Sequence, residues 1–481
     1  MTYADAVRPI RNRLRKFSYR SVLAALTRFI ETESNADDGK PHAPWLAERV
    51  AVWVLRDEPH LYGTVGITQR AFNQCMNQAW QLTDLAFIGF GRGRSFHLSF
   101  RSLLLPQIPH QSEQELGPFA RQIDLINKLS PNSQLYRLLE EELGMPPMDF
   151  LGIAAVFRGH SLADISKVMA PDYRRGLWQV FGRESVERFY KSILVPREVT
   201  AQQFRKVGPD EWFQPNLLYR SPFTLLSDNT WYFWGRCCLD RHLGYALSDI
   251  VGRSDNQGVR QSFEKLFEEY VGRSLSLMTR LEILNEAEVR ARFSVEGKCC
   301  DFAVLDGSDV VLLEVKNKGL THTLPAAGTA GDYASKLNAT VKKADEQLKN
   351  VETYVQRVSP NAIVHKVVIT YGDFFAAETD QLFTAGADRF ESENPVYIFS
   401  VDHLDRLVDS VRTEKCGFAM FFEDYTRRRK EPAERLLLLS NMLNQAPYAG
   451  PELPPHLFDV YSPFYENMLE RSKPEKSTAF P

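Results

Sequence analysis

No apolar run in this sequence approaches the ~18 residues of a membrane-spanning helix. The richest stretches, Asp149–Phe157 and Asp309–Val315, are the size of core elements. The opening residues, MTYADAVRPIRNRLRK, lack the apolar centre of a secretory signal. Cysteine is sparse, at six in 481 residues, and Cys75, Cys237, Cys238, Cys299, Cys300 and Cys416 form no C-x-x-C. That excludes a zinc ribbon and a thioredoxin-type motif, and points to reduced thiols in a cytoplasmic protein. Gly89, Gly91 and Gly93 are followed by no P-loop spacing, so they read as a hairpin turn rather than a phosphate cradle. There is no internal repeat and no low-complexity tract. A net charge of −3 excludes a molecule that is a polycation throughout.

What remains is an ordinary globular composition, 44% hydrophobic and 25% charged, in a chain long enough for two or three domains. Charge is unevenly spread. Residues 1–253 carry 31 basic against 26 acidic side chains, residues 254–415 carry 19 against 26, and residues 416–481 carry 8 against 9. An acidic middle block suits a site that collects a divalent cation.

The periodicity divides the chain along similar lines. Residues 1–210 read as mainly helical, with helices over Arg8–Thr32, Leu46–Leu55, Ser133–Leu143, Ser161–Val168 and Ser185–Leu194. Phe87–Leu105 alternates like a strand or hairpin. Residues 211–253 form an aromatic, turn-rich connection, and Ser254-Asp255-Asn256-Gln257-Gly258 marks the domain boundary. From 254 to 415 the pattern predicts a helix (Val259–Leu277), a hairpin of two strands (Cys299–Leu305 and Val310–Val315) and a helix (Ser335–Val355). Strands at Ala362–Thr370 and Val396–Val401 and a helix at Asp402–Val411 complete it. That order gives an α/β domain, a mixed sheet flanked by helices. Residues 416–481 read as a helical, then proline-rich, tail.

The segment GKCCDFAVLDGSDVVLLEVKNK, residues 297–318, carries the chemistry. Alternation along a strand puts Glu314 and Lys316 on one face and turns Val315 into the core. Asp301, on the paired strand, then approaches Glu314. Two carboxylates and the Val315 carbonyl make a hard oxygen site of the kind Mg²⁺ prefers. A lysine beside it can orient a water and offset the charge of a phosphate.

Over roughly residues 255–411 the chain resembles the PD-(D/E)XK, restriction-endonuclease-like nucleases. The matching parts are Asp301, the Asp306-Gly307 turn, and Glu314-Val315-Lys316 at the end of an apolar strand; Cys300 stands where the family often has proline. The resemblance implies Asp301, Glu314 and the Val315 carbonyl as metal ligands, with Lys316 at the attacking water. It also implies a further acid from the preceding helix, either Glu264 or Glu268, and a polar residue from the following helix, Gln347. The implied cofactor is Mg²⁺, with Mn²⁺ as a substitute, and the implied substrate is nucleic acid, foremost DNA. The whole would be a cytoplasmic endonuclease, in an architecture that suits restriction or anti-phage defence. The rival readings are a nucleic-acid-binding protein that no longer cuts and a regulatory subunit of a larger defence complex. Residues 1–253 would sense, oligomerise, bind a partner subunit or grip substrate, and no membrane is involved.

Glu296-Gly297-Lys298 also matches E-x-K, but ends no apolar strand, so order and context carry the inference. The basic run Arg8, Arg11, Arg13, Arg15, Lys16 and Arg20 fits a phosphate-gripping helix and a solvated helix face equally well. Arg427-Arg428-Arg429-Lys430 reads as a solvated helix end. His97 and His160 read as structural, and the two cysteine pairs as small buried residues.

Overall fold

The computed structural model describes residues 3–31, 43–90, 106–107, 110, 116–204, 217–317, 341–374, 376–379, 394–431, 434 and 439–471. Over these residues the protein is a mixed α/β molecule with a three-stranded and a five-stranded sheet, both mixed. It divides into two compact units. One is formed by Met1–Phe90, Leu103–Arg253 and Leu457–Pro481, and the other is built on Ser254–His456.

The first unit is mostly helical. The single helix expected over Arg8–Thr32 is two, Tyr3–Leu14 and Tyr19–Glu31. Ser18 interrupts it by accepting the Ser21 amide at 3.2 Å, the local bond through which serine favours helix starts over helix interiors. Arg11 and Arg15 both turn inward onto Asp57, whose side chain is 1% exposed and also accepts the Tyr62 hydroxyl at 3.1 Å. Ser133 caps Gln134–Leu143 as its position predicts. Ser161 instead lies inside Pro147–Ala163, and Asp164 caps the next helix by accepting the Ser166 and Lys167 amides. The helix Gln69–Phe90 runs through Phe87–Phe90, where the sequence suggests a hairpin; extending an existing helix needs no new nucleus. The rest of that stretch, with Gly91, Gly93 and His97, lies outside the described residues. Strands β1 (Leu194–Pro196) and β2 (Phe223–Leu225) pair in parallel, and β3 (Trp231–Phe233) pairs antiparallel with β2.

The second unit opens with helix α1 (Gln257–Ser276), capped by Asn256. Strand β4 (Glu282–Asn285) and helix α2 (Glu286–Phe293) follow, two elements absent from the sequence reading. Then come β5 (Phe302–Asp306), β6 (Asp309–Lys316), helix α3 (Lys343–Val358), β7 (Ile363–Thr370) and β8 (Val396–Ser400). Helices α4 (Val401–Arg412) and α5 (Phe418–Arg428) complete the framework. The sheet runs β4-β5-β6-β7-β8 in chain order, antiparallel through β6 and parallel from there to β8. Asp306 pairs with Asp309 across a two-residue turn, where Gly307 takes φ +65°, a conformation glycine adopts without a Cβ penalty.

The central strand β6 is buried on both faces, which its near-continuous VVLLEV anticipates. Val310 and Leu312 face Ala344, Leu348, Val351 and Val355 of α3, together with Val289 and Phe293 of α2. On the other face Tyr397 and Phe399 of β8 meet Phe422 and Phe421 of α5, with ring centroids 4.9 and 5.5 Å apart. The α5 segment therefore belongs to the layer that covers the sheet. Asp405 of α4 locks α1 in place by accepting the Tyr270 and Ser274 hydroxyls, each at 2.7 Å. Asp405→Ala leaves both buried hydroxyls without that acceptor and is expected to cost about 3 kcal/mol, against about 1 kcal/mol for Ser274→Ala. Denaturant unfolding of the two variants tests the difference.

Candidate functional site

The site begins where the β5–β6 ladder ends. Phe302 pairs with Leu313, so the next position sets Asp301 opposite Glu314. Asp301 lies one residue before β5 rather than within a strand beginning at Cys299. Its own carboxylate explains the early end: the Asp301 amide donates to the Leu313 carbonyl at 3.1 Å, while Asp301 Oδ2 takes the Val315 amide at 2.6 Å. A side-chain oxygen has replaced a backbone carbonyl as the last acceptor of the ladder.

Glu314 points to the α3 face and is only 2% exposed; Lys316, two residues on, shares that face and closes an ion pair onto Glu314 Oε1. Glu314 Oε2 is buried with no hydrogen-bond partner. Gln347 of α3 donates to the Cys299 carbonyl at 3.2 Å and stands near enough to Glu314 to favour its charged form. Val315 is buried, on the opposite face. Of the two acids on α1, Glu268 is half-buried and Glu264 exposed. Burial, then the Asp301 charge, pushes the Glu268 carboxyl above the usual range. The helix thus turns Glu268 toward the site and Glu264 to solvent.

The electrostatics are those of crowded acids. Burial raises Asp301, opposed by the Val315 amide and Lys316. Burial first, and the Asp301 charge second, lift Glu314 to about 7. Glu286, the first residue of α2, adds its charge to both Asp301 and Glu268, while its side chain is held by Arg290 at 2.6 and 3.0 Å. Glu286 is not among the residues that the motif implies. Its signal was local: Asn285 and Glu288 form a capping box that starts α2 and fixes Glu286 in its first turn.

An orphaned, buried carboxylate oxygen beside a second carboxylate is a donor set that fits a hard divalent cation. The other segments singled out in the sequence do not converge here. Glu296-Gly297-Lys298 occupies a bend, with Gly297 at φ +75° and its carbonyl taken by Arg290 at 2.7 Å. Arg429 is not the solvated helix end its neighbours suggest: it is 2% exposed and paired with the buried Glu378, because α5 carries it under the surface. Arg427 and Arg428 pair with Asp424 and Glu434. His160 hydrogen-bonds the Tyr173 hydroxyl at 2.8 Å. The six cysteines are free thiols, and Cys238, Cys299 and Cys300 are buried. Among the described residues no helix is long and apolar enough to cross a membrane. No family model, curated protein or solved structure matches this chain.

The raised Glu314 carboxyl has a thermodynamic sign. Its folded value of about 7 exceeds the ordinary 4.5, so between these values the folded protein binds the extra proton. Stability therefore falls as pH rises through that window, and the loss is complete above it. Glu314→Gln removes the loss. In a chelator-containing buffer it is expected to raise the melting temperature by several degrees near pH 8 and to leave it almost unchanged near pH 4.5. Thermal melts of both proteins at the two pH values check this.

Proposed function

We propose that the second unit is a metal-dependent endonuclease that hydrolyses phosphodiester bonds, with DNA as its substrate. The observation that carries the reading is the Asp301–Glu314 pair with Lys316, at the end of a buried central strand and with one Glu314 oxygen unsatisfied. The element order supports it. Helix α1, the β5–β6 hairpin with its Asp306-Gly307 turn and helix α3 follow one another in the order that the resemblance to the restriction-endonuclease-like nucleases implies.

In this reading Asp301, Glu314 and the Val315 carbonyl hold Mg²⁺ or Mn²⁺, with Glu268 as the added acid. Once bound, the cation supplies positive charge against the phosphate and acidifies water at the site. Lys316 has three N–H donors and is 23% exposed, so its ammonium can reach solvent while Glu314 anchors it. It orients the attacking water and balances charge on the phosphate. Gln347 ties the Cys299 carbonyl to α3 and lies beside Glu314, where its amide favours the carboxylate's charged form. The joining of this unit to a large helical one suits a restriction or anti-phage role.

Plasmid, linear duplex, single-stranded DNA and RNA, each with Mg²⁺, Mn²⁺ or chelator, form the test. Asp301→Ala and Glu314→Ala should each lower metal-dependent cleavage at least about a hundredfold, since each removes a ligand carboxylate. Full activity in either folded, purified variant refutes the assignment. Lys316→Ala should lose most of the rate while retaining nucleic-acid binding, and Lys316→Arg should also be slow because the planar guanidinium has a different shape. Lys298→Ala, in the decoy tripeptide, should cut as the unaltered protein does.

A further inference from the structure

A second cluster of metal-ligand side chains lies in the same unit, away from Glu314. Asp309 opens β6, His365 is the third residue of β7, and Glu423 lies on α5. One ligand atom from each falls within 4.8 Å of the other two. Asp309 is in register with Ile363, so His365, two residues further on, shares its face of the sheet. Asp309 and Glu314 are five residues apart on one strand and so point to opposite faces, about 16 Å apart along it. The two clusters are separate sites.

Three features distinguish this cluster from a chance gathering of acids. The first is the histidine. His365 is 5% exposed, and its Nε2, a nitrogen that can ligate a metal, is turned to Asp309 inside the fold. The second is spacing. His365 Nε2 and Asp309 Oδ1 are 3.3 Å apart, long for an N–H···O bond. That distance is close to the roughly 3.4 Å that separates two donors on one tetrahedral zinc. The third is charge. Asp306 and Asp309 both act on Glu423, and among the described residues no lysine or arginine pairs with Asp309 or Glu423. The Asp306 carboxylate is committed elsewhere, to the Ala419 amide at the start of α5, at 3.0 Å.

We propose that Asp309, His365 and Glu423 form a binding site for a zinc-class divalent cation that fastens α5 to the start of β6 and β7. One nitrogen and two carboxylate oxygens suit Zn²⁺, with Mn²⁺ or Co²⁺ next; Mg²⁺, which demands oxygen ligands, is disfavoured. Glu423 is exposed, so the ion has a route in and a solvent-facing position left for water. The site is structural and takes no part in the cleavage proposed above.

The test uses chelator-stripped full-length protein, Zn²⁺ alone as the probe, and three readouts: calorimetric titration, bound-metal content and melting temperature. The unaltered protein should bind a Zn²⁺ that Glu314→Gln and Asp301→Asn still bind. Glu423→Gln and His365→Gln should each weaken that binding about tenfold or more and abolish the rise in melting temperature. Glu423→Gln changes an exposed side chain and is expected to fold, so the outcome does not hang on the buried histidine. Zn²⁺ binding that is absent, that survives Glu423→Gln at full strength, or that disappears with Asp301→Asn overturns the proposal. None of these readouts depends on nuclease activity, so this proposal and the nuclease assignment fail separately.

Discussion

Two carboxylates held face to face at the end of a buried β-ladder are the constraint around which the second unit is organised. Left in water, Asp301 and Glu314 would separate; hydrogen-bond register keeps them opposite. The surrounding elements answer that repulsion with fixed partners. Asp301 is given a backbone amide, Glu314 one lysine, and α3 presents the Gln347 amide. The compensation is incomplete, since one Glu314 oxygen is left without a donor and the carboxyl rises toward neutrality. A buried group that is under-satisfied in a well-packed setting is a common mark of a working site, where stability is given up for reactivity.

The packing explains how such a site is kept rigid. Strand β6 is apolar on both faces for most of its length, so its register cannot slip without exposing one whole set of side chains. Helix α3 lies over the Glu314 face, and the layer containing α5 lies over the other. Charge enters only at the strand's two ends, at Asp309 and at Glu314-Val315-Lys316. The middle of the strand sets position, and its ends carry the polar chemistry.

Much of this was legible in the sequence because it is written in local patterns. The apolar run into Glu314-Val315-Lys316, the Asp306-Gly307 turn and the amphipathic spacing of α1 and α3 can each be read within a single window. What escaped the reading depended on weaker or longer-range signals. Strand β4 is four residues long and buries only Leu284, and α2 is too short to show periodicity. Glu264 and Glu268 are one turn apart, and only the burial of Phe263, Phe267 and Val271 fixes which way the helix is turned. Asp309, His365 and Glu423 come from two strands and a helix, and only the folded sheet brings them together. The burial of Arg429 likewise depends on a partner, Glu378, far away in the chain.

The clasp at Asp57 changes how the positive charge of the first unit should be counted. By sequence, six basic residues between Arg8 and Arg20 form a polyelectrolyte patch. In the folded unit Arg11 and Arg15 share the single negative charge of Asp57, whose side chain is 1% exposed, so one of their two charges is offset internally, while Arg20 pairs with the exposed Asp228. Ionic-strength dependence of polyanion binding counts the cations that displace condensed counterions from phosphates. Arginines already closed on internal acids contribute little to that count. The electrostatic valence of this helix pair is therefore smaller than its formal charge, and much of its basicity serves cohesion within the fold.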